Sequence, residues 1–187
     1  MIIALGESVL VTGSSFAGTQ WQSPTLLVFV SAFVGSVAMW WIYFDLGAER
    51  GSRAIRQSVD PGRTARIAYT YLHLLIVAGI IVCAVADELT LRDPRQRSDA
   101  VTGAVLLGGP ALYLLGNALF KKTVNGTNLP LSHLLGLGLL ALLAFATAHW
   151  SLAPLGMATT GVLVLVALWE MCSLRTVRQA LNSSDTH

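Results

Sequence analysis

The sequence predicts an all-α, polytopic integral membrane helical bundle of about six transmembrane helices. Three observations carry that prediction. Hydrophobic residues fill 54% of the 187 positions and charged residues only 12%, too little charge to cover the surface of a soluble domain. Mean hydropathy is +0.64. The apolar runs reach the roughly 20 residues that cross a hydrocarbon core as a helix, where a soluble domain would stop them at strand or short-helix length.

The runs lie near 1–16, 25–44, 67–86, 101–120, 131–148 and 155–174, and so form one transmembrane domain over 1–174 with a short cytoplasmic tail at 175–187. The first, opening MIIALGESVLV, has no basic residue ahead of it and carries Glu7 inside it, so it does not read as a signal peptide. It reads instead as the remainder of a longer helix, a first span truncated upstream. GTQWQS leads into the second span, whose inner end gathers Trp40, Trp41, Tyr43 and Phe44 before Asp45 closes it. Amphipathic rings favour that headgroup level, although Trp40 suits helix packing equally well. The third, fourth and fifth spans are separated by DELTLRDPRQRSD and KKTVNGTN, and the sixth follows the short HWSLAP. DPG in the second connection and NG in the fourth are turn signals, since Pro fixes its own φ and Gly takes positive φ. Gly103, Gly108 and Gly109 in the fourth span, with Gly136 and Gly138 in the fifth, are candidates for close helix crossings.

All twelve Lys and Arg residues fall outside the spans. Nine sit in the second and fourth connections and the tail (Arg50, Arg53, Arg56, Arg63, Arg66, Lys121, Lys122, Arg175, Arg178), against Arg92, Arg95 and Arg97 in the third. The positive-inside rule then places both termini in the cytoplasm, and the expected location is a cell inner membrane. Trp21 and Trp150 fall at outer connections, again at headgroup depth. With net charge +2 and no basic tract interleaved with aromatics, nucleic acid is excluded as a partner. Cys83 and Cys172 stand inside apolar runs and read as small buried hydrophobes, and no CxxC or close His/Cys/carboxylate cluster offers a metal site. No cofactor is expected.

An ionisable side chain at the centre of a span costs roughly 2.5 to 3.5 kcal/mol on insertion scales, so each one asks for a partner or a wet cavity. If the first span has normal length and ends near Gly18, Glu7 lies close to the bilayer midplane. Ser8, Thr12 and Ser15 form a hydroxyl stripe beside it. In the third span, Tyr69 and His73 are four residues apart, and His73 stands about 9 Å in from Ile67 at the helical rise. Three readings of Glu7 and His73 stay open: a hydrogen bond that fastens helices, a proton- or cation-handling site, or catalysis with Ser8 as the nucleophile. No Ser/His/Asp spacing or HExxH supports an enzyme. Asp45 reads best as a headgroup-level acid neutralised by a nearby Arg. Asp87, Glu88, His133, His149 and Glu170 lie near span ends, where interfacial solvation accounts for them.

The strings MIIALGES, WWIYFD, YLHLLIVAGIIVCAVADE and GGPALYLLGNALF, in that order and at that spacing, resemble the bacterial low temperature requirement A (LtrA) family. The resemblance covers roughly the first 120 residues, and the last two spans fit in hydropathy alone. It implies a polytopic membrane protein linked by name to growth in the cold, with no assigned molecular activity. Members are about twice this length, with further helices upstream of the GES helix. Glu7, Ser8, Asp45, Tyr71 and His73 match the family's polar motif positions, which implies that they form its polar interior. Asp87 departs from the pattern, which has glycine there. The functional expectations are therefore a transporter-like protein with a polar site at Glu7, Ser8, Tyr69, His73 and Asp45, or a non-transporting structural or interaction component. The expected partners are the lipid bilayer and, for the exposed polar faces, either a second copy of the chain or the missing N-terminal half.

Overall fold

A computed structural model describes residues 1–18, 23–44, 61–125 and 129–184. The chain runs through α1 (Ile2–Ala17), α2 (Ser23–Phe44) and the short α3 (Pro61–Arg66). A π-helical stretch, Ile67–Leu72, joins α3 to α4 (His73–Arg92). Then come α5 (Ala100–Asn125), α6 (Leu131–Leu143) with a 3-10 turn at Ala144–Ala146, and α7 (Leu152–Ser184). Among the described residues there is no strand. Helix α2, the continuous helix from Gly62 to Arg92, α5, and α7 as far as Ser173 are each long and apolar enough to cross a membrane, while α1 and α6 are shorter apolar helices. The protein is thus an all-α membrane bundle. The third span begins and ends several residues outside 67–86, and α7 continues helical to Ser184 through the segment expected to be a tail.

The bundle is built around α4 and α5, and glycines set how closely these two helices approach. A Cβ on Gly79 would fall 2.6 Å from the backbone nitrogen of Tyr113, and one on Gly109 would fall 2.8 Å from that of Cys83. One on Gly116 would meet the Ile76 side chain at 2.8 Å. Because lipid tails are as apolar as leucine, helix association in a bilayer relies on such backbone-to-backbone packing more than on hydrophobic transfer. Gly136 does the same for α6, where a Cβ would strike Val166 and Leu114. Gly108 and Gly138, which the sequence grouped with these, face open space. The core between them comprises Met39, Ile42, Ile76, Ile80, Tyr113, Leu114, Leu140 and Val166. Outward-facing Leu26, Phe33, Leu74 and Leu168 are exposed, as lipid-facing positions of a membrane bundle are.

Two connections that the charge pattern puts on one side of the membrane are joined directly. The Leu152 N–H donates to the Gln96 carbonyl at 2.9 Å, Ala153 to Pro94 at 3.0 Å, and Ser98 to Trp150 at 3.1 Å. These bonds anchor the start of α7 against the turn that precedes α5. Asp99 caps that helix: its Oδ1 accepts from the Thr102 N–H at 2.7 Å, and the Asp99 N–H donates to the Thr102 hydroxyl at 3.0 Å. The Thr102 hydrogen bonds hold the Asp99 carboxyl below the usual carboxylate range.

Candidate functional site

Helices α1 and α4 diverge enough to leave a groove of about 600 Å³ between them, lined in part by Glu7, Ser8, His73 and Glu88. From His73 to Glu88 the α4 side of the groove extends about 22 Å at the helical rise, most of a hydrocarbon core. Glu7 is exposed to this space, whereas Ser8 is 2% exposed and its Oγ has no hydrogen-bond partner. Glu88 pairs with Arg92 one turn on, at 2.6 Å. Among the described residues no hydrogen bond joins Glu7 to His73.

The π-helical stretch ends at His73, whose own N–H reaches back five residues to the Ala68 carbonyl. Such wide turns interrupt the α-helical ladder and recur at functional positions. The His73 Nδ1 lies 3.5 Å from the Tyr43 hydroxyl, and the two rings meet edge to face at 5.7 Å. Tyr43 therefore joins α2 to the His73 end of the groove, a contact hidden when it was read only as one member of an interfacial aromatic cluster. Tyr69 takes a different direction: its ring packs edge-on against Phe120, and it does not line the groove. Tyr71 is exposed. Asp45 lies outside the described residues. The hydroxyl stripe divides as well, since Thr12 is buried and donates to the Ser8 carbonyl at 2.8 Å.

A second polar cluster overturns the interfacial reading of His133 and Glu170. Lys121, near the end of α5, is 5% exposed, and its Nζ lies 2.6 Å from both carboxylate oxygens of Glu170 on α7. From α6, the Ser132 hydroxyl donates to Glu170 Oε1 at 3.3 Å and lies 3.1 Å from His133 Nδ1. His133 is fully buried, and its Nε2 has no partner. Solvation at a membrane surface cannot support these groups, because three helices close over them. The bidentate pairing does so instead, leaving two opposite charges compensated within one contact. The available sequence signal was weak: a Lys and a Glu at matching depth on neighbouring span ends. His149, by contrast, is exposed near the connection that follows α6, consistent with an interfacial position.

Chemically, the groove offers a carboxylate, an unsatisfied hydroxyl and an imidazole along one path, a set that can accept, hold and release a proton or a small cation. The Lys121–Glu170 cluster has its charges mutually satisfied and acts as a fastener between α5, α6 and α7. Among the described residues no group of three or more His, Cys, Asp or Glu could hold a metal ion.

The family described as bacterial low temperature requirement A protein (LtrA) matches residues 1–168. An uncharacterized protein of Rhizobium meliloti (strain 1021) is 37% identical over 96% of this chain, and the chain spans 44% of that relative's length. No solved structure matches. On the extent of the family match and the identity to this relative, the chain belongs to the bacterial low temperature requirement A family of membrane proteins.

Proposed function

We propose that the chain is a transporter-like module of the bacterial inner membrane in which Glu7, Ser8 and His73 pass a proton or small cation along the groove between α1 and α4. The observation that carries this reading is that all three side chains line one cavity that runs much of the bilayer depth. A buried hydroxyl with no protein partner supports it, since such a group is costly unless water or a passing ion satisfies it. Nine basic residues on one side against three on the other support both termini lying in the cytoplasm.

In proteoliposomes carrying a pH-sensitive dye, the wild-type chain is expected to support a flux driven by a pH gradient, and Glu7→Gln to lose most of it while remaining folded. An unchanged flux in Glu7→Gln contradicts the reading.

A second reading has its own support. Polar contacts between helices, such as the buried Lys121–Glu170–Ser132 cluster and the His73–Tyr43 approach, support a non-transporting component for growth in the cold, in which the polar residues serve helix packing. In that case Glu7→Gln lowers the melting temperature in detergent and leaves cold growth intact.

A further inference from the structure

A different cavity, separate from the groove, lies where α2, α4, α5 and α7 meet. Its volume is about 30 Å³, room for one small ion or one or two waters. Asp87, Thr90, Thr159 and Thr160, each carrying side-chain oxygen, line it together with Leu106 and Pro110 from α5. Among the described residues Asp87 has no ion pair and no hydrogen bond to compensate its charge.

The hydroxyls are oriented in a way that narrows the occupant. Thr90 Oγ1 donates its proton to the Ala86 carbonyl at 2.8 Å, and Thr159 Oγ1 donates to the Gly156 carbonyl at 2.8 Å. With their single protons committed, both oxygens can offer only lone pairs to the cavity. Pro110 adds to this, because it has no N–H and so removes the helical donor that the Leu106 carbonyl would otherwise receive. One carboxylate surrounded by neutral acceptor oxygens is the ligand set of a hard monovalent cation. A divalent ion would want more negative charge, and a softer metal would want His or Cys. On the opposite wall, a Cβ at Gly35 would lie 3.3 Å from the Thr160 hydroxyl, so glycine leaves that oxygen uncrowded.

We infer that this junction is a binding site for a monovalent cation of about sodium size, with the Asp87 carboxylate and the hydroxyls of Thr90, Thr159 and Thr160 as its ligands. Occupancy would tie α4 to α7 through one ion. The site stands apart from Glu7 and His73, so its failure and the failure of the groove reading are distinguishable.

The test uses the purified chain in detergent with sodium chloride, potassium chloride or N-methylglucamine chloride at equal ionic strength. Sodium is expected to raise the melting temperature saturably above N-methylglucamine, and radiosodium is expected to bind saturably to the wild type. Asp87→Asn and, as a near-isosteric variant that keeps the fold, Thr160→Val should each lose the sodium-specific shift and the saturable binding. Equal melting temperatures in all three salts, absence of saturable radiosodium binding to the wild type, or an undiminished shift in both variants overturns the proposal. The first two of those results would mean that the cavity holds water alone.

Discussion

Lys121 and Glu170 bring full charges into a region that water reaches poorly, and they survive there because each neutralises the other through a bidentate contact. Removing one partner leaves the other charge buried and unpaired, which typically costs more than deleting both. Lys121→Met is therefore expected to destabilise the bundle by about 3–5 kcal/mol. The double variant Lys121→Met/Glu170→Leu should recover most of that loss, as read by denaturation in detergent. Additive losses in the double variant would contradict the pairing. This cluster was hidden in the chain because a Lys in KKT and a Glu in LWEM each look like ordinary span-end charges. Their partnership depends on α5 and α7 reaching the same depth side by side, which only tertiary geometry supplies. Glu7 and His73 stood out more readily, since an ionisable residue within an apolar run asks for a partner or a wet cavity. Tyr43 did not, because an aromatic residue beside two tryptophans reads as an interface anchor.

Among the helices, glycine at a crossing point and glycine at a lipid-facing point look alike in a sequence. Gly109 and Gly136 were visible as candidates, Gly79 and Gly116 passed unremarked, and Gly108 and Gly138 proved to face open space. The distinction lies in which residue of the partner helix stands opposite. Gly79→Val forces α4 away from the Tyr113 backbone, and overpacking of this kind typically costs about 1–3 kcal/mol, more where backbone and not a flexible side chain is struck. Gly108→Ala should be neutral or stabilising by up to about 1 kcal/mol through helix propensity. Thermal unfolding of the two variants side by side checks the contrast, and equal losses would contradict the crossing geometry. The helix boundaries were readable from hydropathy only to within several residues. Hydropathy marks where lipid contact stops, whereas α7 keeps its backbone hydrogen bonds beyond that limit.

As a whole molecule, the chain is a membrane bundle with two separated polar regions and a large groove along one side. The hydrogen bonds between the connection before α5 and the start of α7 hold those two connections on one side of the bundle. Fold class was legible because the length of an apolar run is dictated by bilayer thickness and not by tertiary contacts. The groove was not legible, since a gap between helices leaves no mark on the residues that border it. Everything proposed for Glu7 depends on water filling that gap. The most direct measurement is the reaction of Glu7→Cys, in a Cys172→Ser background, with a charged, membrane-impermeant thiol reagent applied to sealed vesicles, Cys83 being buried. Rapid modification of Glu7→Cys, with Leu10→Cys on the exposed apolar surface left unreacted, is the predicted result. Glu7→Cys as inert as Leu10→Cys would contradict it.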